Sequence, residues 1–135
     1  MTYLLDTNTC IRYLNDAQSR VANRVAALPR TAVVLCDIVR FELYYGAYRS
    51  TRRDRNLQLL ATFFDGFASL SFDGRAAAIG GRIRADLASQ GTTIGPNDLL
   101  IAATALAHDV TLVTHNTREF GRVEGLALED WEANA

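Results

Sequence analysis

Three carboxylates in this chain stand where local preference does not put them by default. Asp6 follows the apolar run Tyr3-Leu4-Leu5, which reads as a short buried strand. Strand interiors disfavour Asp, but at a strand's carboxyl edge it points into the crevice where open α/β sheets bind ligands. A lone Asp there serves equally well as a helix N-cap. Glu42 lies on a helical stretch whose apolar stripe reads as Ile38, Phe41, Tyr45 and Tyr48. It falls on or beside that stripe, where a carboxylate is costly to bury unless paired or bound to a metal. Taken alone, Glu42 is more simply paired with an arginine such as Arg12. Asp98 follows Gly95-Pro96-Asn97 and opens a nearly unbroken apolar helix, Leu99 to Leu106. The helix dipole by itself favours an Asp in that first turn.

Each acid has an ordinary structural explanation; their joint placement, one at a strand edge and two on helices that would flank it, points to a site. A fourth position follows the last long strand, in Thr114-His115-Asn116-Thr117-Arg118-Glu119-Phe120. Asn116 there can bond a metal-bound water, and Glu119 can add a carboxylate or simply pair with Arg118 or Arg122. Acidic oxygens held together repel, and a divalent cation relieves the repulsion. Carboxylate and water ligands suit magnesium, with manganese as an alternative, and the lack of His and Cys near these positions argues against zinc. Such an ion activates water and offsets charge on a phosphoryl group, and a pair of ions can clamp both sides of an in-line displacement.

The elements that must position these residues follow from periodicity. The expected strands are Tyr3-Leu4-Leu5, Ala32-Val33-Val34-Leu35, Leu70-Ser71-Phe72, Thr111-Leu112-Val113-Thr114 and an edge strand Leu126-Ala127-Leu128. Between them lie helices over Cys10 to Leu14, capped by Thr7 or Asn8, then Ser19 to Leu28 and Asp37 to Arg49. A further helix starts near Arg52 and carries Asn56 to Phe64. Gly74 to Gln90 is a long one, weakened by Gly80 and Gly81 and closed by Gly91, and Asp98 to His108 is the last. Alternation of this kind predicts an α/β fold: a central, mostly parallel sheet of four to five short strands flanked by helices.

The 135 residues fit one domain, 1–135, with one core. Apolar residues are 49% and charged residues 21%, ordinary for a globular protein rather than a disordered one. No apolar run approaches the roughly 18 residues of a membrane span, and the first residues lack the pattern of a secretory signal, so a cytoplasmic protein with no membrane partner is expected. Cys10 and Cys36 read as buried apolar residues. The net charge of -1 gives no support to a nucleic-acid partner. The distribution says more: all fourteen basic residues are arginine, and Arg49, Arg52, Arg53 and Arg55 cluster. Arginine makes forked contacts to phosphate that lysine cannot, although a solvated, salt-bridged helix face explains a charge run as simply.

Leu4-Leu5-Asp6-Thr7-Asn8, Arg40-Phe41-Glu42-Leu43-Tyr44-Tyr45-Gly46, Gly95-Pro96-Asn97-Asp98 and Leu112-Val113-Thr114-His115-Asn116-Thr117-Arg118-Glu119-Phe120 together resemble the PIN-domain toxins of VapBC toxin–antitoxin systems. The resemblance runs from Asp6 to Trp131. It implies a PIN-like fold and a magnesium-dependent endoribonuclease with Asp6, Glu42 and Asp98 as metal-binding acids, and with Asn8 and Thr114 orienting them. Many members carry a fourth Asp where this chain has Asn116; Glu119 is the candidate to compensate. The run Asn-Thr-Arg-Glu-Phe resembles a subgroup associated with cleavage of initiator transfer RNA. The family further implies a homodimer and a cognate VapB-type antitoxin. The expected reaction is in-line hydrolysis of RNA to a 5′-phosphate and a 3′-hydroxyl, with Asp6 and Asp98 on the ion and Glu42 as further ligand or proton acceptor. Arg49, Arg52, Arg53 and Arg55 are candidates to hold the RNA backbone.

Rival readings are weaker. A haloacid-dehalogenase-type phosphotransferase also begins with a strand ending in Asp, but it needs an acid where this chain has Asn8, and it needs a lysine, of which there is none. A receiver domain fails for the same lysine. A non-catalytic PIN-like module that holds RNA or a partner is the remaining alternative, with Asn116 in its favour. His108 and His115 read as a helix-end and a loop histidine; Tyr44, Tyr45 and Tyr48 read as core or dimer packing, and Phe63, Phe64 and Phe67 as core.

Overall fold

Tyr3–Leu5 forms β1 and lies at the centre of the sheet in the computed structural model, which describes residues 1–133. Residues 134 and 135, the end of the expected domain, lie outside the described residues. Parallel to β1 on one side run β2 (Val33–Cys36) and β3 (Ser69–Leu70), and on the other β4 (Thr111–Val113) and β5 (Leu128–Glu129), in the order β3-β2-β1-β4-β5. Tyr3 registers with Val33 and with Thr111, and Leu5 with Val113. Every residue of β1, β2 and β4 is buried, as parallel strands covered on both faces must be. The chain builds outward from β1 to β3, then returns to the other side of β1. That reversal places a crevice beyond the carboxyl ends of β1 and β4.

Seven helices connect the strands among the described residues: α1 (Thr7–Asn15), α2 (Arg20–Ala27), α3 (Asp37–Tyr48), α4 (Arg53–Asp65), α5 (Gly74–Ser89), α6 (Pro96–Ala107) and α7 (Thr117–Phe120). None is long and apolar enough to cross a membrane. Their ends follow local chemistry. Ser19 and Asp73 cap α2 and α5 through their side chains. Gly91, at φ 72°, closes α5 with the paired bonds of Gly91 N–H to Ala88 and Thr92 N–H to Leu87. Pro96 occupies the first turn of α6, where its missing N–H costs nothing.

Several expectations need correction. Helix α1 starts earlier than expected, and its cap is Asp6, not Thr7 or Asn8: the Asp6 carboxylate accepts from Thr9 N–H at 2.8 Å. The third strand is Ser69–Leu70 because the β2 ladder sets its register, Leu35 with Ser69 and Cys36 with Leu70. The last strand is Leu128–Glu129 because it registers with Leu112 and Val113. The stripe of α3 is also different. Its buried residues are Val39, Leu43 and Ala47, whereas Phe41, Tyr45 and Tyr48 are 59%, 61% and 60% exposed. Small and branched side chains let α3 sit close to its neighbours, and the aromatic rings face outward. Phe63, Phe64 and Phe67 are core, and Tyr44 packs edge-on to Phe64. Cys10 and Cys36 are buried free thiols, both pushed up by burial, Cys36 to about 11.

Helix α6 is the most buried helix, with Leu99, Ile101, Ala102, Ala103, Thr104, Ala105 and Ala107 all covered. It packs on α5 where Gly80 meets Ala103: a Cβ on Gly80 would come within 3.3 Å of the Ala103 Cβ. Gly80 is thus a packing residue, while its neighbour Gly81 faces open space. Gly81→Ala is expected to stabilise the protein by about 0.5–1 kcal/mol through helix propensity. Gly80→Leu, which must push α6 away, is expected to cost about 1–3 kcal/mol. Urea unfolding of the two variants checks the contrast; equal effects would remove Gly80 from the helix contact.

Candidate active site

The acids come from four elements. Asp6 ends β1, extends its ladder by donating its N–H to Val113 at 3.0 Å, and is only 5% exposed. Burial pushes its carboxyl above the ordinary value, and hydrogen bonds from Thr114 and Thr9 work against that rise. Thr114 is itself fully buried just after β4, and its Oγ1 accepts from Asn116 N–H at 3.0 Å. Thr114, expected to orient an acid, hydrogen-bonds the Asp6 carboxyl. Asn8 is exposed and makes no hydrogen bond to these acids among the described residues.

Glu42 stands half-buried on α3 beside the Leu43 stripe. Arg12 is not its partner, since Arg12 pairs instead with Glu132 at 3.0 Å. Glu42 accepts from Thr7 Oγ1 at 2.5 Å and from Asn97 Nδ2 at 3.3 Å. Those two bonds tie the first turns of α1 and α6 to the middle of α3. Neither Thr7 nor Asn97 stood out in the sequence as a site residue. Their only signal was adjacency, one directly after Asp6 and one directly before Asp98.

Asp98 lies in the first turn of α6, and its carboxyl is hydrogen-bonded to that of Glu119 on α7. Its pKa is pushed up to about 6, by burial first and then by the negative charges of Glu119, Glu42 and Asp6. Glu119 accepts from Gly95 N–H at 2.6 Å and from Asn116 Nδ2 at 3.0 Å. The Gly95 bond is the main reason its carboxyl is held below the usual range, with the Asn116 amide next. In the pair, the proton therefore rests on Asp98. Asn116 serves as a donor to Glu119, and Glu119 stands beside Asp98.

The other three acids, Glu119, Glu42 and Asp6, are within electrostatic reach of Asp98, and each raises its pKa. This donor set is hard oxygen, which fits a divalent metal of the magnesium class. Among the described residues no three His, Cys, Asp or Glu side chains are gathered closely enough to hold an ion as they stand. Separate anchors explain the spacing: Thr9 and Thr114 on Asp6, Thr7 and Asn97 on Glu42, Gly95 and Asn116 on Glu119.

The four arginines lie away from this cluster. Arg49, Arg52, Arg53 and Arg55 are exposed around the turn between α3 and α4. Arg53 pairs with Asp54 at 3.4 Å and Arg49 covers the Tyr45 ring at 5.2 Å. Arg55 shares with Glu42 a groove that runs between α1, α3 and α4.

The Asp98 shift has a stability consequence in metal-free protein. Folding raises its pKa from 3.8 to about 6, so the native state binds more protons than the unfolded state across that window. Asp98 therefore destabilises the fold increasingly as pH rises through the window, and fully above it. Asp98→Asn is expected to gain stability relative to the parent over that rise, measured by urea unfolding in a chelator. A pH-independent difference would contradict the crowding of charge at Asp98.

A family model described as PIN domain matches residues 3–126. The tRNA(fMet)-specific endonuclease VapC of Salmonella typhimurium is 37% identical over 131 residues, covering 97% of this chain and 98% of that protein. Its namesake from Shigella flexneri is 39% identical with the same coverage. A crystal structure of VapBC2 from Rickettsia felis bound to a DNA fragment from their promoter contains a chain with a TM-score of 0.90 and 35% identity, covering 97% of this chain and 99% of that one. The parallel sheet, the acids at its edge and similarity over nearly the whole length agree: the chain belongs to the PIN-domain family, among its VapC ribonucleases.

Proposed function

We propose that this chain is a magnesium-dependent endoribonuclease that cuts transfer RNA, the initiator species included, and acts as the toxin of a toxin–antitoxin pair. One observation carries the reading: carboxylates from four elements meet beyond β1 and β4, where Glu119, Glu42 and Asp6 together push the Asp98 carboxyl up. Asp6, Glu42 and Asp98 would hold the ion, with Glu119 as the fourth acid through Asp98; manganese suits the same donors. When bound, the ion supplies Lewis acidity at the phosphoryl group. The protein's own part is positioning. Thr114 and Thr9 fix Asp6, Thr7 and Asn97 fix Glu42, and the Gly95 N–H with the Asn116 amide fixes Glu119 beside Asp98. Arg49, Arg52, Arg53 and Arg55 would hold the RNA backbone.

The relatives' names support the substrate: those from Salmonella and Shigella are tRNA(fMet)-specific endonucleases. The Rickettsia structure supports a VapB-type antitoxin partner. A homodimer and a cytoplasmic location complete the reading.

Purified protein with added magnesium should cut transfer RNA to 5′-phosphate and 3′-hydroxyl ends, read by sequencing of the fragments. Asp6→Asn and Asp98→Asn should each lower the rate by more than about a hundredfold, because loss of an orienting partner alone costs about 10–100-fold. Undiminished cleavage by either would remove that residue from the chemistry. Thr7→Val and Asn97→Ala are expected to fall in the about 10–100-fold range. Arg52→Ala, Arg53→Ala and Arg55→Ala should raise KM with kcat unchanged, each lowering the salt slope of RNA binding by about 0.7 if it meets a phosphate. A slope equal to the parent's would leave that arginine as a solvated surface charge.

A further inference from the structure

A second feature opens directly beside Asp6. A pocket of about 440 Å³ lies between α1 and the segments that follow β4 and β5. One wall is a single face of α1, Asn8, Ile11, Arg12 and Asn15, spaced i, i+3, i+4 and i+7. The opposite wall holds His115 and Glu132. The chemistry proposed above uses neither His115, Arg12, Asn15 nor Ile11.

The imidazole and the guanidinium of this pocket are held by one short segment, residues 130–132. His115 Nδ1 lies 3.0 and 3.2 Å from the two oxygens of Asp130, and Arg12 Nε donates to Glu132 at 3.0 Å. The segment is pinned in turn: Trp131 is buried and packs edge-on to Tyr3 at 5.1 Å, Arg24 covers its ring, and Arg20 donates to the Ala133 carbonyl at 2.8 Å. With Nδ1 engaged, the imidazole keeps its faces and Nε2 for another partner.

This composition discriminates between ligands. The imidazole and the guanidinium each already face a carboxylate, and Asp6 adds another acid, so the pocket has little net attraction for a bare phosphate. An unstacked nucleobase fits better. Imidazole and guanidinium planes stack on bases, carboxamides offer both a donor and an acceptor to base edges, and Ile11, 40% exposed, supplies an apolar contact. We propose that this pocket is a base-binding subsite, taking the base of a single-stranded nucleotide that adjoins the cleaved bond. The inference rests on the ribonuclease reading, because it supplies that reading's missing determinant of sequence preference. Asp130 and Glu132 are then positioning residues that act through His115 and Arg12.

Binding tests it without cleavage. A short labelled single-stranded RNA of mixed sequence, with an abasic residue walked through it one position at a time, is titrated with the full chain in EDTA and followed by anisotropy. In the parent, one abasic position should weaken binding about tenfold, the scale of one base stacked on an aromatic group. His115→Ala and Asn15→Ala should bind the intact RNA about tenfold more weakly and lose the response to that position. His115→Phe, which keeps a stacking face and no ring nitrogen, should restore both. The proposal is overturned if no position matters in the parent, if the alanine variants keep the parent's response, or if His115→Phe behaves as His115→Ala. Cleavage with magnesium by the parent and by Asp6→Asn is measured alongside. If the parent does not cut RNA, the ribonuclease reading falls while the base-binding result stands by itself.

Discussion

Carboxylates that face one another at the edge of a buried sheet repel, and burial deepens the cost because less water screens them. This fold tolerates such a group by giving its members separate sources of positive partial charge. Asp6 sits at the N-cap of α1, Asp98 in the first turn of α6 and Glu119 in the single turn of α7. Helix N-termini favour negative charge, so these acids are placed where the backbone dipoles offset some of the repulsion. Glu42 has no such help in the middle of α3. Side-chain donors from Thr7 and Asn97 take that part instead, and both belong to the helix starts that carry the other acids. The compensation is incomplete at Asp98, which burial and three like charges leave with a pKa of about 6.

Those same contacts are also the joints between elements. Thr7 to Glu42 links α1 to α3, Asn97 to Glu42 links α6 to α3, and Gly95 to Glu119 links the entry of α6 to α7. The site is therefore framed by bonds spanning 35, 55 and 24 residues of sequence. Its geometry depends on where α6 lies, and the close approach of Gly80 to Ala103 sets α6 against α5. A glycine that weakens one helix by propensity thus lets another carry Asn97 and Asp98 to the right place.

The central strands and the mostly parallel sheet were legible because β1, β2 and β4 are short runs of branched and apolar residues bounded by turns, whereas the order of the strands was not. Each acid alone has an ordinary local role, and only their joint placement around one strand edge set them apart in the sequence. The stripe of α3 was not legible. Hydropathy and size nominate Phe41, Tyr45 and Tyr48, yet the contact surface belongs to Val39, Leu43 and Ala47. Periodicity gives the same spacing for both faces, and only the tightness of packing decides between them. Thr7 and Asn97 were hidden for a different reason. A single polar residue beside an acid carries no periodic signal, and its partner, Glu42, is far away in the chain. Asp6 shows the limit of weighing roles as alternatives, since it caps α1 and lies in the acid group at once.

Asn116 takes its meaning from the same electrostatics. Its side-chain amide donates to Glu119 at 3.0 Å. A carboxylate there would stand against Glu119, which already crowds Asp98. The amide instead helps hold the Glu119 carboxyl below its usual range, so that this acid stays charged beside Asp98. The Asn116 side chain thereby supports the acid three residues further along the chain. Three like charges thus face Asp98 at the sheet edge, Glu119 foremost among them.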